Sequence, residues 1–406
     1  LYDTLKLACR EALSNNRELF GNLFSQVDYL SRKYSMHLRD VVAIQKMRSE
    51  TRTCMQFSSK ELLSHARALS IFISTIFQTA IPTRLNHLLP RVYYISKAKR
   101  EINYRRIRAL VLSVQSDAFK VQCEQFEDIK EMTVPLNEPH LLYLSTLLKE
   151  GMQVNLLDCN VENDVIETAL VVVNPDFLVD ISSIARCFTD WGHHPLSYTY
   201  NRLSPSANSK AILLGHYSGV ALDDIINKKE HYSWQESLKK SFSKKALEYC
   251  TCGDMNVGDD FKYSAQQQSS NIQQIVDELF HSEKTSFDES KAILEPSFIC
   301  EELGIQGRVD LMTTDFKLLI EQKSGGNFNI ERGIINKYGS YQREDHYVQL
   351  LLYYGVLQHN FRLGRNDIDI RLLYSKYPLP GGLVVVAFYQ QLFREAIEFR
   401  NWVVVN

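Results

Sequence analysis

Apolar side chains follow one spacing near the start of this chain, another in the middle, and both in turn thereafter. Over residues 1–90 they recur three and four apart: Leu5, Leu7 and Ala8 with Ala12 and Leu13; Leu19, Phe20, Leu23, Phe24, Val27 and Leu30; Leu62, Leu63, Ala66, Ala68, Leu69, Ile71, Phe72 and Ile73. That period predicts helices. One is expected to start at Ser59, with Glu61 in its first turn, and Pro82 and Pro90 close the block. From 106 to 174 the spacing falls to two. Residues 107–114, 119–123 and 132–136 read as strands, 141–148 as a helix, and 154–157 and 166–173 as two more strands.

Three strands, a helix and two strands is the order of an OB fold, a five-stranded barrel that often grips oligonucleotides. Beyond it the periods alternate, as in an α/β protein. An amphipathic helix is expected at 213–226. Residues 228–290 read as polar and helical, with a basic face at Lys239, Lys240, Lys244 and Lys245 and a flexible stretch at 266–270. A strand follows at 293–303. Two more, 307–312 and 317–325, are joined by a turn at 313–316 that sets Met312 opposite Lys317 and Asp310 opposite Leu319. Residues 346–354 form an apolar helix; 368–374 and 383–386 read as strands around Pro378 to Gly382, a helix covers 390–400, and 402–405 is strand-like.

At 406 residues the chain has room for two or three domains. The expected division is a helical region over 1–90, a barrel with a basic lead-in over 91–174, and an α/β domain over 175–406. No apolar run reaches the length of a membrane span and the start lacks a signal peptide, so a cytoplasmic protein is expected. Leu1 stands where an initiator methionine would, so the chain is read as a piece of a longer polypeptide. A net charge of −2 puts phosphate affinity in local patches rather than in the overall field. One patch is 91–108, where Arg91, Lys97, Lys99, Arg100, Arg105, Arg106 and Arg108 face a single Glu101, with Tyr93, Tyr94 and Tyr104 between them. Cations for phosphates beside rings for bases suit single-stranded nucleic acid; a solvated connector is the alternative. Eight cysteines without a Cys-x-x-Cys pair read as core residues rather than disulfides.

The chemistry concentrates in the hairpin. Side chains two apart on a strand share a face, so Asp310, Glu321 and Lys323 project together. Carboxylates held close repel, and a divalent cation relieves the repulsion. Such a cation beside a lysine suits phosphodiester hydrolysis: it activates water and neutralises charge building on phosphate.

Gly307-Arg308-x-Asp310, ten residues, then Glu321-x-Lys323 resembles the active-site hairpin of the PD-(D/E)XK nucleases. Gln349 and Tyr353, i and i+4 on one helix, resemble the mark of the RecB-like branch. Asn174 to Cys187, with Ser182 and Ser183 read as caps of the next helix, is similar to the opening of the nuclease part of flap- and end-processing nuclease-helicases that carry an OB fold in front. The resemblance implies a restriction-endonuclease-like core, a mixed sheet flanked by helices, and catalysis by Asp310, Glu321, Lys323, Gln349 and Tyr353. It implies Mg2+ or Mn2+ on Asp310, Glu321 and the Gln322 carbonyl. The family's Gly-x-x-x-His helix would add a histidine, but the slot after Gly215 holds Gly219; His216 or Asp223 is the substitute, and Glu302 is a candidate supporting acid. Cys187 matches one iron–sulfur ligand of relatives, but no cysteine follows Cys300, so no cluster is expected. Arg308, Arg332, Lys337 and Arg343, with Arg105 and Arg106 on the barrel, would contact DNA.

The expected function is therefore a metal-dependent deoxyribonuclease acting on single-stranded, flapped or end-processed DNA, with a helicase module as partner in the full-length polypeptide. This chain has no Gly-Lys-Ser/Thr loop for ATP. The alternatives are a catalytically silent DNA- or protein-binding scaffold with a nuclease fold, and a site-specific restriction-type endonuclease.

Overall fold

The computed structural model describes the chain except residues 17, 53–55, 94–100, 127–130, 190–191, 206–207, 228–230, 254–258, 283–286, 327–344 and 365–366. Two units result. One holds the described residues among the first 99 together with Val384–Ala387; the other holds the rest.

The first unit is helical: α1 (Tyr2–Ala12), α2 (Leu23–Lys33), α3 (Leu38–Arg52), α4 (Ser59–Phe77) and α5 (Thr83–Leu88). Leu5, Cys9, Val27, Leu30, Ile44, Met47 and Phe72 form its core, with every side chain drawn from an apolar stripe. The cap of α4 is Ser58, one residue before the expected start. Its backbone N–H donates to Glu61 Oε2 at 2.9 Å and its hydroxyl accepts from the Glu61 N–H at 3.3 Å, a capping box. A short strand that the helical spacing concealed, β1 (Leu19–Phe20), runs parallel to Val384 and Val385.

The second unit begins with a closed barrel. Strands β2 (Tyr104–Val114), β3 (Ala118–Cys123), β4 (Met132–Pro135), β5 (Gln153–Glu162) and β6 (Val165–Glu167) form a ring in the order β2-β3-β4-β6-β5-β2. Helix α6 (Leu144–Leu147) contributes Leu144 and Leu147 to a core shared with Ile107, Val111, Phe119, Val134 and Leu156. The expected single strand at 166–173 is two, β6 and β7 (Leu170–Val173). Thr168 divides them: its hydroxyl accepts from Leu157 N–H at 3.1 Å and lies 2.9 Å from the carbonyls of Leu157 and Leu170, so a side chain replaces a rung of the ladder.

The mixed α/β part follows. Its elements are β8 (Val179–Asp180), α7 (Ile181–Ala185), α8 (Pro195–Leu203), α9 (Lys210–Asn227), α10 (Trp234–Lys244), α11 (Ala246–Thr251), α12 (Asp259–Phe280), β9 (Ala292–Leu294), β10 (Ser297–Cys300), β11 (Ile305–Arg308), β12 (Leu311–Thr313), β13 (Leu318–Lys323), α13 (Asp345–Phe361), β14 (Asp369–Tyr374), β15 (Leu383–Val386) and α14 (Gln390–Val405). Strands β14, β13, β12 and β9 lie side by side, with β13 and β14 parallel; β10, β11 and β8 make a separate small sheet. Leu213 and Tyr217 of α9 and Ile272 and Ile275 of α12 pack on Leu311, Leu318, Ile320 and Leu373. Helix α13 is buried from Tyr347 to Leu357 on every face, hence its unbroken apolar sequence. Asp180, rather than Ser182 or Ser183, caps α7. It accepts the Ser183 N–H at 2.8 Å, and both serine hydroxyls donate to it.

Two expectations reverse. Residues 402–405, strand-like in composition, complete α14, because Trp402 and Val405 pack against the barrel core and packing outweighs β-branched propensity. The polar stretch 266–270 lies inside α12 and is not flexible: Gln268 and Ser269 are buried, as is Asn271 beyond them. The Gln268 amide donates to Ser324 O at 3.3 Å and the Asn271 amide to Ser375 O at 2.9 Å, fixing the ends of β13 and β14.

Helix α14 also joins the barrel to the sheet. Arg400, fully buried without a carboxylate, donates to the carbonyls of Val173, Asn174, Phe177 and Gly304. Asn401 accepts Val173 N–H at 2.9 Å and donates to Val171 O at 2.8 Å, acting as an extra strand for β7. From the barrel side, Asn155 donates to the carbonyls of Glu301 and Glu302 at 3.1 Å.

Candidate active site

The hairpin turn sits one residue later than expected. Leu311 pairs with Ile320 and Met312 with Leu319, so the turn spans 314–317. Thr313 causes the displacement. Its hydroxyl accepts from both Lys317 and Leu318 N–H, at 3.2 and 3.1 Å, while Phe316 takes a left-handed φ of 58°. A shift of two in pairing leaves every side chain on its expected face. Asp310 lies just before β12, in a bend, and its carboxylate reaches the backbone of β13.

Four of the expected side chains form one hydrogen-bonded group. Lys323 Nζ donates to Glu321 Oε1 at 2.9 Å and to Gln349 Oε1 at 2.8 Å. The Gln349 amide donates to the same Glu321 oxygen at 2.6 Å. Tyr353, one turn along α13, lies 3.5 Å from the Gln349 amide and donates to Arg308 O at 2.7 Å, tying the helix to β11. Asp310 Oδ2 accepts the Gln322 N–H at 2.7 Å, and the Gln322 side chain donates to Ser218 O on α9 at 3.0 Å. Gly307 is required by this packing. A Cβ there would lie 2.8 Å from the Tyr353 ring and 3.3 Å from Ile181.

Burial dominates the electrostatics. The Glu321 carboxyl is pushed up to about 8, first by desolvation and then by the charge of Asp310, with Lys323 opposing. Its second oxygen, Oε2, is buried and accepts from no donor, and the Asp310 carboxyl lies close enough to share a proton with Glu321, which raises it further. Asp310 is also raised, chiefly by desolvation, with the Gln322 amide and Lys323 pulling the other way. A buried carboxylate oxygen without a donor is costly to keep charged. The acid pair therefore has an unmet demand for positive charge, and a divalent cation on Asp310 and Glu321 fits it. Among the described residues no group of three or more His, Cys, Asp or Glu side chains is set to hold a metal.

The remaining expected residues lie elsewhere. His216 is exposed, and the charges acting on it are Lys245 and Glu248, so the structure does not bring it to the acid pair. A Cβ on Gly219 would meet nothing within 4 Å. Asp223 is raised by burial and by Glu295, which also acts on Asp310. Glu302 pairs with His359 at 2.9 Å and feels Arg105 and Arg106; it belongs to the junction with the barrel and not to the acid pair. Arg105 and Arg106 are exposed at the start of β2. Arg308 is exposed and pairs with Glu295 at 3.1 Å. Arg332, Lys337 and Arg343 lie outside the described residues.

Sequence reasoning passed over Glu295, which carries a left-handed φ of 51° and pairs with Arg308. It also missed His346, whose Nδ1 lies 3.2 Å from Tyr374 OH and which burial, aided by Lys323, pushes down to about 4. Pro296 favours an extended Glu295, so nothing local in the sequence signalled its left-handed φ; His346 had no signal beyond its place at the start of α13.

No family profile matches the sequence, and no curated protein matches it. Among solved structures, the chain is similar to a candidate exonuclease from Eubacterium rectale, with a TM-score of 0.35 and 11% identity over 56% of this chain and 79% of the other.

Proposed function

We propose that this chain is a metal-dependent DNA nuclease with a restriction-endonuclease-like core and an OB-type barrel, acting on single-stranded or flapped DNA as part of a nuclease-helicase. The observation that carries the reading is the close pair of buried carboxyls, Asp310 and Glu321, with Glu321 Oε2 accepting from no donor while Oε1 is held by Lys323.

Asp310, Glu321 and the Gln322 carbonyl would hold Mg2+ or Mn2+. The bound ion would lower the pKa of a water and screen the phosphate. Lys323, fixed by Glu321 and Gln349, is placed to orient the attacking water or to meet negative charge on the phosphate as one P–O bond forms and another breaks. Gln349 keeps acid and amine in register. Tyr353 holds the Arg308 backbone, leaving the guanidinium exposed for a DNA phosphate, as Arg105 and Arg106 are on the barrel.

The position of His216 away from the acid pair favours a second reading, a silent scaffold. Calorimetric titration with Mn2+ separates the two: a nuclease site takes up the ion, and Asp310→Asn abolishes the heat. In the cleavage assay, Lys323→Ala should remove Mg2+- or Mn2+-dependent cutting of a labelled flap oligonucleotide while the melting curve stays cooperative. Undiminished cutting by that variant sinks the assignment.

A further inference from the structure

A second feature lies apart from the acid pair. Between the start of α8 and the end of α14 is a cleft of about 480 Å³ lined by His193, Leu196, Glu398, Phe399 and Trp402 among others. Its walls are aromatic: His193 stacks on Phe188 with centroids 4.3 Å apart and meets Phe399 edge-on at 5.7 Å. Among the described residues the lining holds one acid, Glu398, and neither lysine nor arginine. Burial pushes the Glu398 carboxyl up to about 7, the Trp402 side chain opposing by hydrogen bonding, while burial, then the charge of His194, lowers His193.

The cleft continues onto a helix face. Leu196, Tyr200 and Leu203 stand at i, i+4 and i+7 of α8, and all three are exposed, at 66%, 73% and 80%. Isolated exposed apolar residues are ordinary, but a stripe of three running from an aromatic cleft is a contiguous patch of the kind that marks a contact surface.

We propose that this cleft and stripe dock a peptide segment of a partner protein, with a lysine or arginine of the segment in the cleft and apolar side chains along α8. Charge complementarity selects the occupant. A half-buried carboxylate between aromatic rings suits a cation, which gains both an ion pair and a ring face. The same carboxylate repels a phosphate backbone, so nucleic acid is the poorer fit.

The test is a phage-displayed random dodecapeptide library selected on the immobilised 406-residue protein. Recovered peptides are titrated by fluorescence anisotropy against the wild type, Glu398→Gln and Tyr200→Lys. Expected are peptides with a lysine or arginine among apolar residues, about fivefold weaker on Glu398→Gln and about tenfold weaker on Tyr200→Lys. Tyr200 is exposed, so its substitution leaves the fold intact even if Glu398→Gln does not fold. Three outcomes overturn the proposal: no enrichment or equal affinities for all three proteins; sedimentation showing a dimer that Tyr200→Lys dissolves, which makes the occupant a second copy; or oligo-dT affinity that falls in Glu398→Gln, which makes the cleft a base pocket.

Discussion

Replacing Glu321 by glutamine isolates the electrostatics of the acid pair. The side chain is 3% exposed, and its carboxyl rises from 4.5 to about 8 in the fold. Below about pH 4.5 the folded and unfolded chains both hold this proton. As pH climbs toward 8 the unfolded chain releases it while the folded protein retains it, so stability declines across that window and levels off above it. A gap of roughly 3.5 units at ~1.36 kcal/mol each sets an upper bound of about 5 kcal/mol. For a folding unit of this size that is on the order of 10 °C in Tm. The expectation is that wild type in EDTA loses this much between pH 5 and pH 8.5, and that Mg2+ or Mn2+ at pH 8.5 restores most of it. Glu321→Gln should lose the part of the slope that Glu321 contributes, keep only what Asp310 contributes, and gain nothing from the metal. Thermal melts by circular dichroism at stepped pH measure both. Equal slopes in the two proteins, or an equal response to metal, would refute the reasoning.

Gly307→Ala forces a methyl against the buried Tyr353 ring; it should cost about 1–3 kcal/mol in denaturant melts and lower cleavage by displacing the Arg308 carbonyl. Arg400→Met leaves four carbonyls, two in buried and two in part-buried hydrogen bonds, without their donor and should destabilise the second unit by about 3–5 kcal/mol, read as a fall in the urea midpoint. Arg308→Ala should weaken binding of single-stranded oligonucleotides evenly across sequences and reduce the slope of log K against log salt by about 0.7, with melting unchanged because its pairing with Glu295 is exposed.

The parts legible in the sequence were those where periodicity and burial coincide. The barrel strands alternate because one face of each fills the core, and α13 reads as a continuous apolar helix because it is enclosed on all sides. Asp310, Glu321 and Lys323 could be picked out because two-residue spacing on paired strands fixes which side chains share a face; Gln349 and Tyr353 share a helix face by spacing, but their roles came from the resemblance. What local spacing does not encode is the partner. The polar residues near 268 look solvated until the carbonyls of Ser324 and Ser375 are beside them. Residues 402–405 favour a strand by composition and are helical because a barrel lies against them. His216 follows Gly215 in the chain, yet one step around a helix turns it toward Lys245 and Glu248.

Arg400 and Asn401 have a consequence for how the second unit moves. Because one helix bolts the barrel to the strands behind the acid pair, through backbone contacts that cannot slide without breaking, the two parts travel as one piece. A loosening at either end of α14 would therefore be felt at the other, and the barrel and the small sheet should melt in a single transition.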